Sequence, residues 1–169
     1  MFENHTSPWM DEELHIMRDA VRKFLAREFV PHMAKWEKQG CVDRDAWNKA
    51  GAAGLLCVSI PPQYGGGGGN FKHEMVLVEE LCYAHISGFG NGVHSGIVAH
   101  YINSYGSEEQ KQQWLPKMAS GEIVSAIAMT EPGTGSDLQA VATTAIKNGE
   151  NYVLNGQKTF LTNGQTANL

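Results

Sequence analysis

The run Ala126-Ile127-Ala128-Met129-Thr130-Glu131-Pro132-Gly133-Thr134-Gly135-Ser136-Asp137 crowds small, turn-forming and hydroxyl-bearing residues onto the end of an apolar stretch. That pattern can bring backbone close to a flat or anionic ligand. Thr130 offers a hydroxyl where the stretch ends. Pro132 fixes its own φ, while Gly133 and Gly135 permit positive φ and carry no β-carbon to obstruct approach. Amides left free by such a turn can point at an anion. By composition alone, the same residues suit an ordinary surface turn.

Other candidate chemistry is thinner. Gly65 to Gly69 is followed by no Gly-Lys-Ser/Thr and fits no dinucleotide fingerprint, so it is expected to be a flexible surface connection. Cys41, Cys57 and Cys82 are odd in number and widely spaced, which suits reduced thiols in a cytosolic or matrix-like compartment. The seven histidines are scattered, His94 and His100 share no helical face, and no metal site is expected.

With 169 residues the chain fits one domain, or a small domain with part of another. Hydrophobic residues at 42% suffice for a core, and a net charge of -5 argues against a nucleic-acid partner. No apolar stretch reaches the length of a membrane span. Glu3, Asp11, Glu12 and Glu13 make the start unlike a signal or transit peptide.

The elements that must position the loop are helices first, then strands. Leu14, Met17, Val21, Phe24, Leu25 and Phe29 recur at helical spacing from Asp11 to Lys38, with Pro31 kinking or dividing the helix and Gly40 closing it. Asp45 to Ala53 predicts a short helix stopped by Gly54, and an apolar run from Leu55 to Ile60 ends at two prolines. A helix from Phe71 to Ser87 would bury Met75, Val78, Leu81, Cys82 and His85. Another, with Val93, Ile97 and Tyr101, would end at Gly106. Ser107 to Gln110 reads as a capping box, with Pro116 restarting a second turn that Gly121 ends. From there, Ile123 to Met129, Ala140 to Lys147, Tyr152 to Leu154 and Gln157 to Thr162 are strand candidates, separated by Asn-Gly turns. Helices followed by strands indicate segregated α and β units.

Several segments in this order resemble the acyl-CoA dehydrogenase family. They are Val30-Pro31 to Trp36-Glu37, Lys49-Ala50-Gly51 to Gly54-Leu55, Tyr105-Gly106-Ser107-Glu108-Glu109-Gln110, the Thr130 to Asp137 loop, and Asn155-Gly156-Gln157-Lys158 to Thr162-Asn163-Gly164. Together they cover nearly the whole chain. His94-Ser95-Gly96-Ile97-Val98 with Ala128-Met129-Thr130-Glu131 looks most like the long-chain branch. The resemblance implies an α+β fold: an N-terminal all-α domain over 1–121, then the start of an antiparallel β domain over 122–169, ahead of a C-terminal helical bundle. It also implies a homotetramer.

The resemblance further implies FAD as cofactor, held by Ile127, Met129, Thr130, Gly135, Ser136, Phe160 and Thr162. Many members carry tryptophan where this chain has Phe160, so the stacking area is smaller here; packing into a β core is the other reading of that ring. Acyl-CoA would be met by Ser136, and by Ser95 and Gly96, for which close helix packing is an equal reading. The implied reaction is α,β-dehydrogenation to 2-enoyl-CoA, with an electron-transferring flavoprotein as acceptor. The catalytic glutamate is expected beyond Leu169, so no catalytic residue is expected within the chain, and Glu131 belongs to the FAD loop. The 169 residues alone are expected to be inactive and to retain FAD weakly or not at all. A non-catalytic module, a subunit completed by a partner chain, and an acyl-CoA oxidase-like flavoprotein are the alternatives. A bacterial cytoplasm, or else a mitochondrial matrix, is the expected compartment.

Overall fold

The computed structural model describes residues 7–169, and in them helices precede strands. The first helix, α1 (Glu12–Glu28), is set by local chemistry. The Asp11 carboxylate accepts the Leu14 amide at 3.0 Å, and Glu12 and Glu13 occupy the first turn, where the helix dipole favours negative charge. Leu14, Val21, Phe24 and Leu25 face inward. Pro31 divides the amphipathic stretch by sitting in a 3-10 turn, Val30–His32, ahead of α2 (Met33–Gln39). Gly40 ends α2 at φ 77°, and Gly54 follows α3 (Arg44–Ala52) at φ 69°. Phe29 packs edge-on against Trp36 and Phe89, with centroids 5.3 and 4.9 Å away, and Trp47 lies 4.4 Å from Phe89. These aromatics anchor the main core.

Helix α4 (Phe71–Tyr83) starts from a capping box formed by Asn70 and His73. Its buried face differs from the expected stripe. Val76, Leu77, Glu80 and Leu81 turn inward, Val78 and Cys82 face solvent, and His85 lies past the helix end at φ 54°. Glu80 accounts for the rotation: it is 2% exposed, and its two oxygens accept the Nε and Nη2 donors of Arg22 on α1, each at 2.8 Å. A carboxylate held by a bidentate partner can occupy a core position that hydrophobicity would give to its neighbours.

The five-glycine run is not a loose connection. The amides of Gly67, Gly68 and Gly69 donate to Cys57, Ile60 and Val58 oxygens at 3.2, 2.9 and 2.9 Å. A β-carbon on Gly66 would lie 2.1 Å from the Ile60 oxygen, and one on Gly67 2.7 Å from that of Val58. The run is laid against the buried 55–60 segment, and only glycine allows that approach.

Helix α5 (Asn91–Val93), one π-helical turn (His94–Val98) and α6 (Ala99–Tyr105) follow head to tail and stop at Gly106. Val93 and Ile97 are only half-buried and Tyr101 is exposed; Asn91, His94, Ser95 and Ala99 are the buried residues here. Helix α7 (Glu108–Ala119) begins with the expected Ser107–Gln110 capping box. Pro116 does not restart it. The helix runs through the proline, because Leu115, Met118 and Ala119 around it are buried and their packing outweighs one absent N–H.

Beyond Gly121, strands β1 (Thr144–Asn148) and β2 (Asn151–Asn155) form the ladder found among the described residues, pairing Thr144 with Asn155 through Asn148 with Asn151. Gly149 at φ 63° opens the two-residue turn between them. The expected strand from Ala140 begins instead as a 3-10 turn, Leu138–Ala140, and joins the ladder only at Thr144. Ile123 to Met129 and Gln157 to Thr162 form no ladder. Their bonds are isolated ones: Asn168 N–H to Val124 O at 2.8 Å, Ala126 N–H to Leu169 O at 2.9 Å and Thr159 N–H to Thr130 O at 3.0 Å. Phe160, at φ 55°, also leaves strand geometry altogether. Among the described residues no helix is long and apolar enough to cross a membrane.

The α1–α4 ion pair yields a stability test. Arg22→Met strands the Glu80 carboxylate in the core and is expected to cost about 3 kcal/mol in urea unfolding, and adding Glu80→Leu should recover most of that loss. A single-variant cost below about 0.5 kcal/mol, the scale of an exposed pair, would show that this pair does not set the helix packing.

Candidate functional site

The loop from Thr130 to Asp137 is closed by its own backbone. Glu131 N–H donates to Thr134 O at 2.9 Å and Thr134 N–H to Glu131 O at 3.0 Å, so Pro132 and Gly133 form the tip of a tight turn. The Thr134 hydroxyl, turned inward, donates to Ala140 O at 2.9 Å. Gly133 and Gly135 do not adopt the positive φ that the sequence allows them. Their contribution is space, since a β-carbon on either would meet nothing within 4 Å.

Behind the turn, the Glu131 carboxylate is buried and fully used. It accepts Lys158 Nζ at 2.8 Å, Ala142 N–H at 2.8 Å and Thr143 N–H at 3.0 Å. Lys158 first, with Thr143 and the Ala142 amide, pulls this carboxyl down from 4.5 to about 2. So weak a base, surrounded by its own donors, cannot serve as a proton acceptor for a ligand. Lys158 Nζ also donates to Met129 O at 2.9 Å, and Thr159 N–H donates to Thr130 O at 3.0 Å. The 158–160 segment is thereby fastened beside Met129 and Thr130.

A second fastening lies at Asn163, which sits at φ 65°. Its Nδ2 donates to Gly90 O and to Ser125 O, each at 3.1 Å. Ser125 is in turn held by His94. The imidazole is fully buried, and its Nδ1 accepts Ser125 N–H at 3.1 Å, leaving Nε2 to donate to Met118 O at 3.1 Å. Burial pushes this imidazole down to about 4, so it is neutral. Arg44 completes the seam, donating to Glu122 O and to Thr166 O.

The sequence-derived site residues fall into two groups. Met129, Thr130 and Phe160 meet at the edge fastened by Lys158, and Thr162 stands next to the Asn163 clamp. Met129 is 39% exposed, Phe160 89%, and Ile127 is half-buried. Gly135 and Ser136 continue the outer face of the turn and are exposed. Ser95 and Gly96 stand apart. Ser95 is buried, its hydroxyl donating to Asn91 Oδ1 at 2.6 Å and accepting Cys57 N–H at 2.9 Å, while Gly96 faces open space. Sequence reasoning missed Lys158, Asn163 and His94 as supports. Their partners lie 29, 73 and 31 residues away along the chain, and no periodicity marks such pairs.

Residues 11–122 match the family described as acyl-CoA dehydrogenase, N-terminal domain, and residues 126–169 match acyl-CoA dehydrogenase, middle domain. The chain is 49% identical over 152 residues to the mitochondrial long-chain specific acyl-CoA dehydrogenase of Sus scrofa, covering 90% of this chain and 35% of the relative. The crystal structure of acyl-CoA dehydrogenase from Geobacillus kaustophilus superposes with a TM-score of 0.91 at 51% identity, covering 96% of this chain and 43% of that one. An acyl-CoA dehydrogenase from Bacillus anthracis, complexed with FAD, superposes with a TM-score of 0.87 at 33% identity, covering 96% of this chain and 28% of that one. The chain thus spans little more than a third of the length of the curated relatives it matches.

His94 predicts a pH dependence. An unfolded imidazole titrates near 6.5 and the folded one near 4. Between these values the unfolded chain binds the extra proton, so the contribution is whole above pH 6.5, declines as the pH falls and levels off near pH 4. The full span corresponds to up to about 3 kcal/mol. Urea unfolding at a series of pH values should show this decline, and His94→Gln should flatten it. Glu131 acts in a lower window, its contribution whole above 4.5 and lost as the pH falls toward about 2. An unchanged slope in the His94 variant would assign the titration to other groups.

Proposed function

Because the chain belongs to the acyl-CoA dehydrogenase family, we propose that it forms the flavin- and thioester-binding wall of an FAD-dependent enzyme that dehydrogenates long-chain acyl-CoA thioesters to 2-enoyl-CoA. The observation that carries this reading is the edge shared by the loop and the 158–162 segment. There a phenylalanine ring stands 89% exposed on a segment fastened to the Met129 and Thr130 carbonyls by Lys158 and the Thr159 amide. The hydroxyls of Thr130, Ser136 and Thr162 have no hydrogen-bond partner among the described residues. An apolar plate flanked by free hydroxyls fits a flat heteroaromatic ring with a polar rim, and the uncovered faces of Gly133 and Gly135 leave room for it.

When bound, FAD supplies hydride acceptance. The chain's own residues supply placement and polarisation. Thr130 and Thr162 offer donors to electron-rich atoms, fixed before ligand arrives by the Thr159 bond and the Asn163 clamp; such preorganised donors cost no rearrangement when charge develops. Phe160 and Met129 would contribute apolar cover, and Ser136, exposed on the outer face of the turn, would be a contact for the acyl-CoA. Glu131 stays a buttress, with Lys158 neutralising it, and the carboxylate that takes the α-proton is assigned outside these residues. An electron-transferring flavoprotein as electron acceptor and a homotetrameric assembly complete the proposal.

Titrating the isotope-labelled chain with FAD tests the wall directly and detects weak binding. Amide signals of Thr130, Gly133, Gly135, Phe160 and Thr162 should move together, and later addition of an acyl-CoA should move Ser136. If a large excess of FAD shifts none of these amides, the reading fails.

A further inference from the structure

We propose that Asn163 is a positioning residue for the flavin wall, holding Phe160 and Thr162 in place by clamping their segment to the helical half of the protein at Gly90. The proposal rests on the reading of this edge as a flavin site.

Four observations converge on it. Both bonds of the Asn163 side-chain amide cross to other segments: Nδ2 donates to Gly90 O and to Ser125 O, each at 3.1 Å. Its backbone carbonyl is occupied as well, accepting Thr166 N–H at 2.9 Å, Ala167 N–H at 2.8 Å and the Thr166 hydroxyl at 3.2 Å. Asn163 at φ 65° and Phe160 at φ 55° are both in the left-handed region, which asparagine tolerates and phenylalanine does not adopt freely. Backbone held in such a conformation must be over-determined by its surroundings. Finally, the approach of this segment to Gly90 excludes any side chain there: a β-carbon on Gly90 would lie 2.2 Å from Asn163 Oδ1 and 2.8 Å from Thr162 Cγ2. Gly90 itself has φ -70°, outside the left-handed region that favours glycine, so the close contact with Asn163 and Thr162 is the ground for glycine here.

Gly90 sits just ahead of α5 and the buried His94, and Ser125 is the residue His94 holds. The clamp therefore refers Phe160 and Thr162 to the helical half beside the buried His94. Lys158 and Thr159 hold the same segment from its other end, against Met129 and Thr130. With the Asn163 clamp lost and the Lys158 and Thr159 bonds kept, the loop face from Thr130 to Ser136 keeps its geometry while Phe160 and Thr162 lose theirs.

Two variants attack the clamp from opposite sides. Asn163→Asp keeps the shape and the tolerance for positive φ but removes the donors; Gly90→Ala keeps Asn163 and displaces it. Each is expected to abolish the FAD-induced amide shifts at Phe160 and Thr162, to leave those at Gly133 and Gly135, and to weaken FAD binding about tenfold, the scale of losing one or two net hydrogen bonds. The double variant should be no weaker than either single one, as shared action at one contact demands. A general packing defect would instead lower all the shifts together and add in the double variant. Wild-type affinity with both sets of shifts retained in either variant overturns the proposal. If the unaltered chain shows no FAD shifts at all, the flavin reading falls by itself. Amide exchange at residues 160–164 then decides the clamp, faster exchange in both variants supporting it and unchanged exchange overturning it.

Discussion

His94 joins the two halves of this chain through a neutral ring. One nitrogen gives its proton to Met118 O at the end of α7, and the other accepts the amide of Ser125 on the extended run that leads to the loop. The neighbouring Trp47 ring, 5.1 Å away and edge-on, shares the same dry space. The seam can afford little else of that kind. The β1–β2 hairpin is exposed on both faces, and the β half gives Val124 to the main core and Ile123 to the edge of the second. With so little apolar area shared, the geometry between halves falls to hydrogen bonds, buried at the imidazole and part-buried or exposed at the others, and an unpaired partner is costly where it is buried. His94, Asn163 and Arg44 make them.

The loop depends on that seam and adds its own economy. Three inward groups of the loop are taken: the Glu131 carboxylate by Lys158 and two amides, the Thr134 hydroxyl by Ala140 O, the Thr130 carbonyl by Thr159. What faces outward is left open, at Gly133, Gly135, Ser136 and Phe160. A carboxylate in such a loop would ordinarily repel an anionic or electron-rich ligand. Here Lys158 cancels the Glu131 charge locally, and the outer tip of the turn at Gly133 and Gly135 is left to backbone amides.

What was legible in the sequence was local. Ser107 as a cap, Pro31 as a divider, and Gly40 and Gly54 as stops act within a few residues of themselves, and the structure places each as the sequence suggests. The Thr130 to Asp137 loop was legible as an ordered string and through its family resemblance. Three of the failures were non-local. Glu80 turned α4 because Arg22 waits on another helix; Phe160 left the strand region while its segment is tied at Lys158 and Asn163; Ile123 to Met129 stayed unladdered because its backbone meets only scattered partners. Periodicity sees none of these, since each depends on a group brought near by the rest of the fold.

The glycine run illustrates the same division with a different kind of consequence. Its repeated composition suggests a tract whose length could drift, as homopolymeric codon tracts do when a polymerase slips. Yet each of Gly67, Gly68 and Gly69 has its own carbonyl to meet, and Gly68 alone of the three needs positive φ. Adding or deleting one glycine would shift these amides against the wrong acceptors and strain the Asn70 cap of α4. A tract uniform in letters is thus aperiodic in function, and the protein constrains its copy number as tightly as it would a motif of five different residues.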